Sequence, residues 1–389
     1  MPVPAHVPDE LVRDIDLDKK GTVEELHAHL DALREEGRAF WLRESMGGNP
    51  YGAWLFTRAE DVQAVLQQPD LFSSDFGGMM IPLFLDPPEH TKYRRLLNPL
   101  FAPGVVARME DSIRVRARAL VSSLAPQGSC DFVSSVSVEY PTRVFTSWFG
   151  LPEERTADFV DLASTLIHHA DDEARRAAAL AGTFTVIGDL IAERRAAPAD
   201  DLISDIIALE LDGRPLRDDE LMRIGMLLFF AGLDTVAAAL SFSFWHLAQT
   251  PSHRRVIVDG SVPLQQVVEE LLRRHSFVSP PRLVARDASF AGVQVRKGDP
   301  VVVSLPLASR DPSTCPHASD VDLERADVRH PAFGLGPHRC LGSHLARLEM
   351  RVALEEWHAA IPDYELAGDV SAYSGVVMGL STLPLRWTT

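Results

Sequence analysis

Residues 333–342 read Phe333-Gly334-Leu335-Gly336-Pro337-His338-Arg339-Cys340-Leu341-Gly342 and run directly into SHLARLEMRVALEEWHAAI at 343–361. In the second stretch apolar residues recur at three- and four-residue steps, the period of a helix with one buried face. The cysteine therefore stands at a helix start, where unpaired backbone N–H groups and the positive end of the helix dipole favour a thiolate. Glycines on both sides let the backbone fold tightly around the sulfur, and His338 and Arg339 add positive charge. Such a thiolate suits three kinds of chemistry: a nucleophile, a redox-sensing thiol, or an axial ligand to heme iron. Cys130 and Cys315 have no comparable frame and read as inert thiols. The three cysteines match no CxxC zinc pattern and imply a reducing compartment.

Upstream, residues 218–250 keep helical spacing over about 48 Å at about 1.5 Å per residue and read as one long central helix. Its middle, Phe229-Phe230-Ala231-Gly232-Leu233-Asp234-Thr235, sets a glycine, an acid and a hydroxyl in an apolar run, where polar groups need partners. Between the two segments, Glu270-Leu271-Leu272-Arg273 spaces a carboxylate and a guanidinium for pairing along a helix.

The pattern Phe-Gly-x-Gly-x-His-x-Cys-x-Gly resembles the heme-binding loop of the cytochrome P450 family. Glu270-Leu271-Leu272-Arg273 resembles that family's Glu-x-x-Arg pair, and Ala231-Gly232-Leu233-Asp234-Thr235 its oxygen-activating segment. The resemblance extends from the Asp86-Pro87-Pro88-Glu89-His90 turn to the terminal strand. The stretches GLDTV, LSFS, EELLRR and LGSHLAR are similar to those of soluble bacterial members, nearest to the camphor-hydroxylase-like subgroup.

The rest of the chain agrees with a mainly α protein carrying small β-sheets. Helical spacing predicts helices over 23–36, 59–67, 88–98, 105–124, 153–168, 171–195 and 218–250. Short strand-like runs fall at 53–56, 282–285, 293–295, 300–304 and 383–387. No repeat occurs at solenoid period, and 389 residues with 46% hydrophobic and 24% charged content suit a globular chain. The resemblance implies one heme-thiolate monooxygenase domain over 1–389, with heme between the long central helix and the cysteine-ligand loop. A net charge of −17 disfavours nucleic acid as a partner. The N-terminus shows no secretion signal, and the longest unbroken apolar runs fall short of the roughly 20 residues that span a bilayer. A cytoplasmic protein without a membrane anchor is expected.

By resemblance, Cys340 is the proximal ligand to the iron of heme b, its thiolate pushing electron density toward the metal. His90, Arg94, Arg282 and His338 match the positions that hold the heme propionates, and Asp234 and Thr235 match the proton-delivery pair. That pair argues for reductive activation of dioxygen. Glu270 and Arg273 are expected to be structural, with a further partner such as Arg325 or His330.

Position assigns substrate contacts to Phe76, Met79, Met80, Leu83 and Phe84 in the loop 76–84, and to Leu228, Ala231, Gly232, Val278, Pro280, Leu283, Val376 and Val377. This wall is apolar, and Gly78 or Met79 stands where the camphor-type pattern offers a tyrosine hydroxyl. A small apolar substrate, terpenoid or small aromatic, follows. The chain has no Gly-rich flavin or nicotinamide fingerprint, so electrons are expected from a ferredoxin and its ferredoxin reductase, with Lys92, Arg95 and Arg339 as candidate docking cations. Two alternatives stay open: peroxide-driven, coupling or dealkylating chemistry on the same scaffold, and a heme-binding sensor without turnover.

Overall fold

The computed structural model describes residues 3–15, 17–44, 52–168 and 173–389. Among these residues the helices are, in chain order, α1 (Val23–Glu36), α2 (Ala59–Gln67), α3 (Glu89–Leu97), α4 (Pro103–Ala107) and α5 (Glu110–Leu124). There follow α6 (Glu139–Phe149), α7 (Thr156–His168), α8 (Glu173–Ala196), α9 (Leu202–Ile207) and α10 (Asp218–Leu233). The last are α11 (Thr235–Gln249), α12 (Pro251–Asp259), α13 (Leu264–Arg274), α14 (Leu305–Ser309) and α15 (Ser343–Ala360). The expected class, mainly helix with small sheets, is the one observed. Residues 171 and 172, the start of one expected helix, lie outside the described residues.

Two expected helices are each divided. The 105–124 run breaks at Arg108 and Met109, whose N–H groups bond to carbonyls only three residues back, Val105 and Val106, and close α4 as a tight turn. Glu110 and Asp111 then open α5 as an acidic first turn. The long central helix is interrupted at Asp234, which separates α10 from α11 with φ −122° and ψ −35°. Thr235 Oγ1 donates to the Ala231 carbonyl at 3.1 Å, a side-chain bond to the i−4 acceptor that competes with the helical ladder and bends it. Asp218–Gln249 is also, among the described residues, the one stretch whose length and hydropathy would suffice to cross a membrane. A reading of unbroken apolar runs alone passes it over. Its window is 61% buried inside the protein, as befits a core helix.

The chain divides into two compact units. The helical unit comprises Phe76–Leu240, Leu341–Tyr364 and Arg386–Thr389. Its core gathers Leu97, Phe145, Phe149, Phe159, Ile187, Ile224, Met226 and Phe229 from α3, α6, α7, α8 and α10. The start of α10 is fixed by Glu220, whose buried carboxylate accepts from Tyr93 Oη at 2.8 Å, from Arg214 at 2.8 Å and from the Arg217 N–H at 2.7 Å. The Arg214 guanidinium, first among these partners, lowers the Glu220 carboxyl to about 2. Helix α15 is held to α5 by Arg114, which reaches Glu355 at 2.6 Å and Glu356 at 2.9 Å.

The sheet-bearing unit comprises Met1–Asp75, Ser241–Cys340 and Glu365–Leu385. Its six-stranded sheet runs Val12–Arg13, Ala39–Leu42, Ala53–Phe56, Pro300–Val302, Pro281–Val284, Phe72–Ser73. Ala39–Leu42 is a strand outside the expected runs, although its four residues are apolar and buried like those of Ala53–Phe56. It pairs antiparallel with Ala53–Phe56, setting Trp41 edge-on to Trp54 at 5.3 Å. Helix α2 covers this sheet through Val62, Val65 and Leu66.

A buried clamp ties α13 to the chain that follows α14. Arg273 meets Glu270 through two bonds, 2.7 and 2.8 Å, and donates to the carbonyls of Ser309, Ala318 and Asp320. Arg325 adds a second guanidinium at 3.3 Å from Glu270, whereas His330 pairs with the neighbouring Glu269. Removing one member strands a buried charge and is expected to cost about 3–5 kcal/mol.

Beside that clamp lies a cluster of imidazoles. His275 stacks on Phe242 at 6.1 Å and on His27 at 5.8 Å, with His246 at 5.4 Å. His246 in turn meets the His253 ring nitrogen at 2.8 Å. Neither nitrogen of His275 has a hydrogen-bond partner among the described residues. Burial, and then the Arg310 and Arg274 guanidiniums, hold His27 well below the ordinary imidazole range. Burial does the same for His275, followed by Arg274, and pushes His246 down to about 3.

The folded state thus keeps these rings neutral while the unfolded chain protonates near 6.5, so stability is whole above that value and falls as pH drops toward 3. Each fully shifted ring contributes up to about 1.4 kcal/mol per pH unit. Urea midpoints are therefore expected to fall steeply from pH 7 to pH 5, and His275→Phe should flatten that fall. Parallel pH profiles for the two proteins would contradict the assignment.

Candidate functional site

Around Cys340 the chain is a series of tight turns. Gly334 and Gly336 both have φ +69°, in the left-handed region open to glycine, and residues Gly336–His338 form one turn of 3-10 helix. A Cβ on Gly336 would overlap the Leu66 carbonyl oxygen at the end of α2, so the loop lies against main chain where a side chain cannot fit. The Cys340 N–H donates to the Phe333 carbonyl at 2.8 Å, and that of Arg339 to Gly336 at 3.2 Å. Cys340 is exposed while Cys130 and Cys315 are half-buried, and burial pushes the Cys130 thiol up to about 12. Two residues separate Cys340 from the first residue of α15.

The same unit carries Arg282, buried in the strand Pro281–Val284, where it pairs in register with Val301 and donates to the Pro281 carbonyl at 2.7 Å. His338 is half-buried. Val278 and Val377, 99 positions apart by number, form an antiparallel bridge, with Ser279 N–H bonded to the Val376 carbonyl at 2.8 Å. Leu283 and Pro280 are half-buried and Val376 is exposed. These expected substrate contacts are thus brought close in the sheet-bearing unit.

The helical unit holds the rest. His90 is buried and Arg94 half-buried one turn later on α3. In the loop 76–84, Phe76 packs edge-on to Phe84 at 5.7 Å, Met80 joins the core, Leu83 is half-buried, and Phe76 and Met79 are exposed.

Helix α10 is buried on every side but one. On that side, beyond the first turn, the incompletely buried positions are Arg223, Leu227, Phe230 and Ala231, and the side continues to Asp234 and Thr235. Thr235, Ala231, Leu227 and Arg223 are successive four-residue steps, one stripe of the helix. Gly232 is required because a Cβ would overlap the Phe145 ring.

Leu228 is packed in the core with 5% exposure, one turn before Gly232, and its neighbours Leu227 and Phe230 are half-buried. Counting back in fours from Thr235 finds Leu227. Of the expected docking cations, Lys92 is tied to Glu89 at 2.8 Å and lies 3.7 Å from Asp212. Thr91, Lys92 and Arg95 line a depression of about 450 Å³ with Pro87 and Pro88, and Arg339 is exposed.

Each unit holds residues whose chemistry suits a thiolate-ligated heme. In the sheet-bearing unit Cys340 offers a soft sulfur ligand from a turn that glycines hold against main chain, with Arg282 and His338 as nitrogen donors suited to carboxylates; in the helical unit His90 and Arg94 are donors of the same kind.

Comparison with known proteins agrees. The family model for Cytochrome P450 matches residues 154–258 and 263–357. The chain is 36% identical to a probable cytochrome P450 127A1 of Sinorhizobium fredii, an alignment covering 99% of this chain and 97% of that protein. It is 31% identical to a mycinamicin IV hydroxylase/epoxidase of Micromonospora griseorubida over 87% of each. Among solved structures, CYP101J2 and CYP101C1 each superpose with a TM-score of 0.90 over the whole of both chains, at 29% and 31% identity.

The packing of the cysteine loop yields a paired prediction. Gly336→Ala combines an unfavourable φ with a main-chain overlap and should cost at least about 1–2 kcal/mol in urea unfolding. Gly342→Ala, with no atom within 4 Å of its Cβ, should stay within about 0.5 kcal/mol of the parent. Equal stability of the two variants would contradict the close approach to Leu66.

Proposed function

The chain belongs to the cytochrome P450 family, and from that membership we propose that Cys340 supplies the thiolate that ligates its heme. The protein is a heme-thiolate monooxygenase with heme b as cofactor. When bound, the heme supplies the activation of dioxygen and the transfer of one oxygen atom to substrate. The observation that carries the ligand assignment is the exposed Cys340 thiol in a turn that glycines seat against main chain, beside two half-buried cysteines without such a frame.

Arg282, His338, His90 and Arg94 hold the propionates by charge-assisted hydrogen bonds. Asp234 and Thr235 hand on protons. The break between α10 and α11 frees them from a continuous ladder, and Thr235 Oγ1, which donates to Ala231, keeps lone pairs that can accept. Ala231, exposed on its helix, leaves room for a small reactant beside that hydroxyl.

The substrate is a small apolar molecule of terpenoid or small aromatic type. Phe76, Met79 and Val376, expected as its contacts, are three of the six large exposed hydrophobic residues among those described, and such side chains are a reason to look for an apolar ligand. Electrons come from a ferredoxin and its reductase, with Arg95 and Arg339 as docking cations and an association that weakens with salt. Three cysteines without a CxxC pattern suit the cytoplasm. Nucleic acid and membrane are not partners.

Turnover in ¹⁸O-labelled dioxygen, with a surrogate ferredoxin and reductase and a panel of monoterpenes and alkylbenzenes, tests this reading. A product carrying one labelled atom is expected, and a product labelled only from water or added peroxide would contradict it. Thr235→Ala should divert electrons to peroxide, lowering product formed per reducing equivalent about tenfold or more. Undiminished coupling would remove Thr235 from proton delivery.

A further inference from the structure

Arg223 is the one charged member of the open stripe on α10 beyond its first turn and before Asp234. Its ion contact is long: Nη1 lies 4.0 Å from Asp219, whose carboxylate meets Arg217 at the shorter distance of 3.0 Å. The Arg223 Nε is buried and has no hydrogen-bond partner among the described residues. The outer end of the guanidinium reaches the loop 76–84, where Nη2 would lie 2.5 Å from a Cβ on Gly78, a position with φ +68°. Phe76 and Met79, exposed apolar side chains, flank that glycine.

A half-buried cation with its donors under-used, set among exposed apolar side chains, is a costly arrangement unless an acceptor arrives. The fork geometry of a guanidinium favours a planar, bidentate acceptor, which a carboxylate provides. Along the helix, Arg223 stands eight residues before Ala231, about 12 Å at about 1.5 Å per residue, with Leu227 and Phe230 between.

We propose that Arg223 binds the carboxylate of the substrate, which is an apolar monocarboxylic acid oxidised at a carbon remote from that group. The inference rests on the monooxygenase reading and narrows it: the hydrocarbon body lies along Leu227 and Phe230, and the acid end is anchored at the 76–84 loop. Gly78 is then required for a second reason, since any side chain there would displace the guanidinium.

The test compares geranic acid with geraniol, and dodecanoic acid with its methyl ester, on the heme-loaded protein, using isothermal titration calorimetry with the Soret spectrum recorded alongside. The parent protein should bind each acid between about tenfold and a hundredfold more tightly than its neutral partner. Arg223→Leu should bring the acids down to the neutral compounds, whose own affinity stays within about threefold, and Arg223→Lys should retain part of the preference. Absence of any acid preference in the parent overturns the proposal, as does an Arg223→Leu variant that weakens acids and neutral compounds alike. A preparation whose spectrum lacks a thiolate-ligated heme would instead overturn the underlying reading, so the two failures are distinguishable.

Discussion

The arrangement depends on one constraint, that a helix buried on nearly all sides must keep a single stripe open. The α10–α11 stretch is apolar enough to meet a membrane's demands and is satisfied instead by burial inside the protein, α10 contributing to the core of the helical unit. Against that background each departure from burial is a decision: a glycine where Phe145 presses in, a threonine hydroxyl bonded back to Ala231, an aspartate at the break. The Thr235 to Ala231 bond competes with the ladder by offering its acceptor a second donor. A continuous helix would leave Asp234 and Thr235 as two more side chains on a cylinder. The interruption makes them a local polar unit.

The cysteine loop obeys a complementary constraint. Its backbone approaches the Leu66 carbonyl so closely that side chains are excluded, and two left-handed glycines turn it. Rigidity around it comes from charge. The Glu270, Arg273 and Arg325 group binds main-chain carbonyls of the segment leading toward the loop, and the glutamates of α15 bind arginines of α5. Paired charges of this kind specify position more than they add net stability, because desolvation offsets much of their attraction.

Much of this was legible in the sequence, and the misses have physical causes. The Cys340 frame, the Glu270 to Arg273 spacing and the Asp234-Thr235 pair are local, so residue type and spacing report them. The strand Ala39–Leu42 is a short, wholly apolar run like Ala53–Phe56, and periodicity alone does not tell such a run from a buried helix segment. Leu227, which the expected contacts do not include, is in four-residue step with Ala231 and Thr235. Arg223 lies on that same four-residue series, so the signal existed, but reading it requires knowing which face stays open. The histidine cluster joins positions 27, 246, 253 and 275 from four parts of the chain, and nothing short of the tertiary fold brings them together.

The central claim is that Cys340 is the thiolate ligand to heme iron, and the dithionite-reduced carbon monoxide difference spectrum tests it most directly. The parent protein should show the red-shifted Soret band of thiolate ligation, and Cys340→His should keep bound heme while losing that band. A parent spectrum without the shifted band, or a Cys340→His variant that retains it, would contradict the account.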